Sequence, residues 1–184
     1  MVVTVFDMKI RHIADENDFR AIRRINALAW QEAYQDILSD EILRDRDMNP
    51  SERDIQEMYE EIYSDRDRIL VAEDDEGAIR GYSYVRWGDD TKEFAGEHEA
   101  GLKEIYVEPN YWTQGIGTQL LDRCLELLPD SIERVKLEML SGNELAHHFY
   151  ATHGFDRTGS AEFEIAGDSY PTDIYTLELS VTGR

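Results

Sequence analysis

The chain has 184 residues, enough for one domain with a full core and few for two. Forty acids against nineteen bases leave a formal charge of −21, a surface that repels phosphate backbones and anionic bilayers and so argues against nucleic acid or membrane as partners. No run approaches the roughly 18 apolar residues of a membrane helix, residues 1–9 lack a basic-then-apolar leader, and the single Cys124 excludes an internal disulfide or a cysteine-rich metal site.

These features suit a cytoplasmic protein. Only Lys9, Lys92, Lys103 and Lys136 are lysines, and the acids are spread along the whole chain. Such a chain repels itself at low ionic strength. It is expected to be halophilic, part of an acidic proteome in a high-salt cytoplasm where screening shortens to a few Å. The alternative is an acidic mesophilic protein kept soluble by its charge.

Residues 8–14 read as a first strand. Asp15 to Asn17 offers an N-cap, after which Phe19, Ile22, Ile25, Leu28 and Ala29 recur at helical spacing. A second helix is predicted through Trp30, Tyr34, Ile37 and Leu38, with Ile42 and Leu43 beyond. Pro50-Ser51-Glu52 opens a further helix carrying Ile55, Met58, Tyr59 and Ile62 on one face. Residues 68–72 read as a strand, Asp74 to Gly77 as a turn and 79–87 as the antiparallel partner. Residues 88–98 are a polar loop and 102–107 a strand ended by Pro109. Residues 115–128 form an amphipathic helix with Ile116, Leu120, Cys124 and Leu128 on one stripe. A strand over 135–140 and a short helix capped by Asn143 follow, then two strands at 155–165 and 172–181. An antiparallel front half thus feeds one β-loop-α-β-α unit and a final hairpin, an α+β (mixed α/β) layout around one sheet.

The stretch from Ile105 to Leu121 carries the chemistry. A strand runs through a short loop into Gln114-Gly115-Ile116-Gly117-Thr118 at the start of a helix. Glycines let main-chain N–H groups approach a phosphate closely, and a helix N-terminus adds unpaired donors and a favourable dipole. A tight turn that needs glycine for its shape is the plainer explanation of one Gly-x-Gly. A dinucleotide fingerprint would need glycine at Leu120, and a P-loop would need Lys-Ser/Thr where Thr118-Gln119 stands, so both are excluded.

This stretch resembles the GCN5-related N-acetyltransferase (GNAT) family, whose pyrophosphate motif Gln/Arg-x-x-Gly-x-Gly/Ala maps onto residues 112–117. Trp112 departs from it at the first position. Further on, Asn143, Ala146, Tyr150, Gly154 and Phe155 fall in register with the family's Asn-x-x-Ala-x-x-x-Tyr-x-x-x-Gly-Phe pattern, and Ala29 to Tyr34 is similar to the front of many members. The resemblance spans essentially residues 1–184 as one acetyltransferase domain. It implies a mixed sheet of roughly seven strands with the fourth and fifth splayed, and acetyl-CoA (CoA) as cofactor. Its pantetheine arm would pair with Ile105, Tyr106 and Val107, and its pyrophosphate would lie on Gln114, Gly115, Ile116, Gly117 and Thr118, with Asn143 and Tyr150 also on the cofactor. The family's habit of homodimerisation is one further partner it suggests.

The implied reaction is attack by a primary amine, on a small molecule or a peptide N-terminus, on the thioester. The amine titrates near 10 and must lose a proton first. A carboxylate is suited to take it, directly or through water. Glu104, which shares a strand face with Tyr106 opposite Ile105 and Val107, and Glu99 are the candidates; either also reads as a solvated surface acid. Tyr150 occupies the family's tyrosine position and is the expected general acid toward the departing thiolate, the other reading being a core aromatic beside Phe149. Trp30, Tyr34, Trp87 and Tyr170 are candidates to line the acceptor pocket or simply to fill the core, with Tyr170-Pro171 expected in the last hairpin turn. His147 and His148 lack a second ligand pair at metal spacing, so no metal is expected. A non-catalytic acyl-CoA-binding or sensor domain is the alternative function.

The charge pattern carries a test. The melting temperature is expected to rise strongly between dilute and molar salt, as followed by circular dichroism; a flat response removes the high-salt reading.

Overall fold

The computed structural model describes residues 7–46, 49–88 and 95–179. In chain order the elements are β1 (Lys9–His12), α1 (Glu16–Ala33), α2 (Asp40–Arg44), α3 (Glu52–Ile62), β2 (Ile69–Glu73), β3 (Ile79–Arg86), β4 (Glu99–Val107), α4 (Ile116–Glu126), β5 (Arg134–Leu140), α5 (Glu144–Thr152), β6 (Asp156–Ile165) and β7 (Asp168–Glu178). The strands form one sheet in the order β1-β2-β3-β4-β5-β7-β6. Four of its neighbouring pairs are β1–β2, β2–β3, β5–β7 and β6–β7, all antiparallel, while β4–β5 is parallel, so the sheet is mixed as expected. Part of the expected polar loop, residues 89–94, and the end of the last expected strand, from residue 180, lie outside the described residues.

The chain divides into two compact units, with boundaries at the end of β3, inside β4 and just after α4. One holds the described residues up to Val85 together with Glu104–Leu127; the other holds Arg86–Lys103 and the described residues from Leu128 on.

In the first unit, local signals start the helices where expected. The Asp15 carboxylate accepts from the N–H groups of Asn17 (2.9 Å) and Asp18 (3.1 Å), and Ser51 forms a capping box with Asp54. The second helix differs from expectation. α1 runs on through Trp30 to Ala33, because nothing between Leu28 and Ala33 breaks it, and the next helix begins only at the Ser39 cap. Ile37 and Leu38 turn back onto the Tyr34 carbonyl at 3.0 and 2.8 Å rather than continuing a helix.

Alternation along β2 and β3 sends neighbouring side chains to opposite faces. Ile69, Val71, Tyr82 and Tyr84 pack with Phe19, Ile22 and Ile25 of α1 and Ile55 and Tyr59 of α3. Leu70, Ala72 and Val85 are buried too, as are Ile116, Leu120, Leu121 and Cys124 of α4, which packs on β2 and β1. Each fully buried aliphatic side chain contributes about 1.5–3 kcal/mol. Burial pushes the Cys124 thiol up to about 12, so it is an inert core residue.

In the second unit, β4 and β5 pair through Glu99–Arg134, Ala100–Val135 and Gly101–Lys136, while β4 itself runs on to Val107 and β5 to Leu140. The last hairpin corrects a second expectation. Its turn is Ala166-Gly167, both at positive φ, and Tyr170 and Pro171 lie within β7 opposite Phe163 and Glu162. Just past the last β5–β7 pair, Leu140–Thr172, the Pro171 carbonyl accepts from the Ser141 N–H at 2.9 Å, a bond that does not need the N–H that proline lacks.

One close approach fixes how α4 sits. A Cβ added to Gly81 of β3 would lie 3.0 Å from Leu120 Cδ1, 3.1 Å from the Tyr106 carbonyl oxygen and 3.2 Å from Val107 Cγ2. The Gly81→Ala variant is expected to lose about 1–3 kcal/mol of stability through this overpacking, read as a lower urea midpoint.

Candidate functional site

The first unit carries a main-chain cradle. After β4 a 3₁₀ turn, Pro109–Tyr111, leads to Trp112, whose indole Nε1 donates to the Val107 carbonyl at 2.7 Å. Gln114 Nε2 donates to the Asn110 carbonyl at 3.0 Å. These two bonds clasp the loop onto the strand. Thr113 stands at φ 62° and Gly115 at φ 84°, left-handed conformations that are strained for threonine and easy for glycine. Gly115 is the N-cap of α4 and has no side chain to cap it. The first bond of the helix runs from Gln119 N–H to the Gly115 carbonyl at 3.1 Å, and no backbone carbonyl among the described residues takes the N–H of Gly115, Ile116 or Gly117. The first turn of α4 carries no acid, in a chain with forty of them. Unspent donors at the positive end of an 11-residue helix fit a diphosphate. The sequence-predicted Gln114–Thr118 forms this loop and helix start, and Trp112, where the motif departs, ties the loop to β4.

Further back on β4, Glu104 and Tyr106 face a polar cluster. Arg46, in the α2–α3 connection, lies over the Trp30 ring at 3.2 Å from its centroid and donates to Asn26 Oδ1 at 2.7 Å. Asn26 Nδ2 donates to the Tyr82 hydroxyl at 2.8 Å, and that hydroxyl donates to Glu104 Oε2 at 2.7 Å. Trp30 Nε1 donates to the Tyr106 hydroxyl at 2.9 Å, and Tyr34 stacks edge-on against Trp30 at 4.8 Å. Burial first, then the charge of Glu104, pushes the Tyr82 hydroxyl well above the ordinary tyrosine value. Tyr82 therefore stays protonated and holds one carboxylate oxygen in place, while Glu104 itself is half-buried. The sequence-predicted Trp30, Tyr34, Tyr106 and Glu104 come together here; Ile105 and Val107 alternate with them along β4.

The other carboxylate candidate sits differently. Glu99, in the second unit, is buried and accepts from Lys136 Nζ at 2.8 Å, Arg134 Nη1 at 3.1 Å and the Gly96 N–H at 2.7 Å. Burial raises its proton affinity, but Lys136, the Gly96 N–H and Arg134 together bring it down to about 2. Such a group binds its proton too weakly to serve as a base near neutrality.

The second unit also holds the helix motif. Asn143 is the N-cap of α5, its Oδ1 accepting from the Ala146 N–H at 3.1 Å, which gives the motif asparagine a structural duty. Tyr150 is buried, edge-on to Phe149 at 5.2 Å and to Phe155 at 5.4 Å, and its carbonyl accepts from the Phe155 N–H at 3.0 Å. Tyr170 lies across from Phe163 on the β6–β7 hairpin. His147 and His148 are exposed, with His147 Nδ1 2.6 Å from the Tyr175 hydroxyl.

Sequence reasoning missed Asn26, Tyr82, Arg23 and Arg46. Asn26 had a signal: it is a polar residue beside Ile25 on the buried side of α1. Arg46 had none, being one more charge in a polar connection.

The acetyltransferase (GNAT) family profile matches residues 20–155. No curated protein sequence matches. Solved structures do. The PaiA N-acetyltransferase of Thermoplasma acidophilum, in complex with coenzyme A, has a TM-score of 0.67 at 18% identity, covering 95% of this chain and 100% of that one. The ribosomal-protein-alanine N-acetyltransferase of Brucella melitensis has a TM-score of 0.65 at 24% identity, covering 93% and 99%. The structure of yncA from Salmonella typhimurium, with its cofactor acetyl-CoA, has a TM-score of 0.65 at 19% identity, covering 97% of each. At such identities these likenesses speak for the fold.

The Glu99 cluster predicts a pH effect with a definite sign. Its folded proton affinity is depressed to about 2, so its stabilisation is complete above the unfolded carboxylate value of about 4.3 and is lost as pH falls toward 2. Urea midpoints of the wild type are expected to fall more steeply across that window than those of Glu99→Gln; parallel profiles would remove the assignment.

Proposed function

We propose that this chain, which belongs to the acetyltransferase (GNAT) family, transfers the acetyl group of acetyl-CoA to a primary amine by direct attack on the thioester, with residues 1–184 acting as one domain. The observation that carries the reading is the clasped loop before α4, whose N–H groups at Gly115–Gly117 meet no backbone carbonyl among the described residues. It is joined by a family match that spans residues of both compact units. The protein reads as a cytoplasmic enzyme suited to high salt.

When bound, acetyl-CoA supplies a thioester carbonyl open to an amine. Gln114 to Thr118 hold the diphosphate through N–H dipoles, which need no cationic side chain and so suit an acidic protein. Along residues 105–107 the strand offers main-chain groups to the pantetheine arm and an N–H to the carbonyl oxygen. The Val107 carbonyl already accepts the Trp112 indole. Glu104 takes the proton of the acceptor amine at its carboxylate, held by the Tyr82 hydroxyl at 2.7 Å. Trp30 and Tyr34 present an aromatic wall to the acceptor, with Tyr170 a further contact from β7. Tyr150 gives its hydroxyl proton to the departing sulfur, a role it takes from its place in the α5 motif beside Asn143.

Free-thiol release from acetyl-CoA over a panel of amines tests this. Glu104→Gln and Tyr150→Phe are each expected to lower turnover about 10²- to 10⁴-fold while acetyl-CoA binding, read by calorimetry, holds. Raising the pH should recover part of the Glu104→Gln loss by supplying free amine. Unchanged turnover in either variant removes that residue from the mechanism. Acetyl-CoA binding without thiol release on any amine would favour a sensor domain instead.

A further inference from the structure

Arginine is scarce partner material in this chain: forty acids compete for nineteen bases. Half-buried and buried acids take their share, Asp18 with Arg11, Asp74 with Arg80, Glu108 with Arg24 and Arg80, Glu99 with Arg134 and Lys136. Against that background Arg23 and Arg46 stand apart. Among the described residues neither forms an ion pair with a carboxylate. Arg23 lies on α1 one turn before Asn26, and its Nε is buried with no hydrogen-bond partner. Arg46 commits one of its five N–H donors, to Asn26 Oδ1 at 2.7 Å, and is fixed in orientation by the Trp30 ring beneath it. The two are close enough to oppose each other: burial chiefly, with Arg23 as the repelling cation, holds the Arg46 guanidinium below its ordinary value. Arg23 also bears on Tyr82. Among the described residues, the charges shown to act on one another here are the Arg23 and Arg46 guanidinium groups and the Glu104 carboxylate, two cations to one anion inside a strongly acidic protein. Glu104 attracts Arg46, but it is one carboxylate against two guanidinium groups; an incompletely balanced cation half out of water is costly, and a planar fork of N–H donors held rigid is the arrangement that takes a carboxylate two-handed.

We propose that the acceptor is an amine that also carries an acidic group, a carboxylate as in a free amino acid, bound by Arg46 and Arg23 while its amine meets Glu104. This rests on the acetyltransferase reading and narrows it: polyamines and simple alkylamines lack the anion, and a peptide N-terminus lacks it at the reacting residue. Asn26 and Tyr82 then act as positioning residues, tying the anion-binding arginine and the proton-accepting carboxylate into one rigid hydrogen-bonded chain.

The test pairs each amine with and without its carboxylate in the thiol-release assay on the full chain: lysine with cadaverine, histidine with histamine, tyrosine with tyramine, and 4-aminobutyrate with propylamine. For the accepted side chain, kcat/KM for the acid-bearing amine should exceed that of its decarboxylated partner by roughly 10- to 100-fold, the worth of hydrogen bonds to a charged group. The preference should shrink toward parity in Arg46→Met and Arg23→Met, through KM more than kcat, and return in part in Arg46→Lys, which keeps the charge and loses the fork. Decarboxylated amines turned over as well as their acids overturn the proposal and leave amine acetylation standing, a result the wild type alone provides. A preference that survives in both folded arginine variants overturns it as well. Acetyl-CoA binding with no thiol release on any amine overturns the acetyltransferase reading itself, and this proposal with it.

Discussion

The arrangement turns on a glycine where three elements meet. A methyl group at Gly81 of β3 would crowd the Leu120 side chain of α4, the Tyr106 carbonyl and the Val107 side chain of β4 at 3.0–3.2 Å, so these neighbours would have to give way. That closeness sets both halves of the first unit's site at once. It holds α4, whose N-terminus carries the unspent donors, and it holds the stretch of β4 whose side chains include Glu104 and Tyr106. Packing of this density transmits shifts rather than absorbing them, so the cradle and the carboxylate are positioned by one contact rather than two.

The charge of the chain works on two scales. Across the surface the acids repel one another and set solubility. Where acids are buried, arginine and lysine are recruited to them, as at Glu73, which takes Lys9 at 3.0 Å and Arg11 at 2.6 Å. Such partnerships leave few cations over, so a proposed diphosphate site made of peptide dipoles suits this chain, and two guanidinium groups around a single carboxylate, Glu104, carry information.

Much of the fold was legible because its signals are local. The Asp15 and Ser51 caps, the alternation of β2 and β3 and the stripe of α4 follow from spacing alone. The errors fell where spacing is ambiguous. Trp30 fits the end of one helix or the start of another, and only the absence of a breaker before Ala33 decides it. Tyr170-Pro171 looks like turn chemistry, yet Ala166-Gly167 makes the turn, and Pro171 sits in β7 using its carbonyl, toward Ser141, rather than the N–H it lacks. At the site, Gln114 to Thr118 was singled out by two glycines opening a helix after a strand in the spacing of the family motif, since one Gly-x-Gly alone reads equally as a tight turn. The Arg46–Asn26–Tyr82–Glu104 chain was not, since its members lie far apart in sequence. Glu99 and Glu104 illustrate the limit: two acids on one strand look alike until Lys136 and Arg134 are seen closing on the first and Tyr82 on the second.

The single cysteine has a consequence of its own. Any protein that handles an activated thioester risks losing the acyl group to its own sulfur by thiol exchange, and only the thiolate attacks. Cys124 is sealed in the core with its proton held to about 12. The chain therefore offers no competing nucleophile of that kind: it cannot acylate itself through sulfur, and it cannot be trapped in a mixed disulfide by the coenzyme it would release.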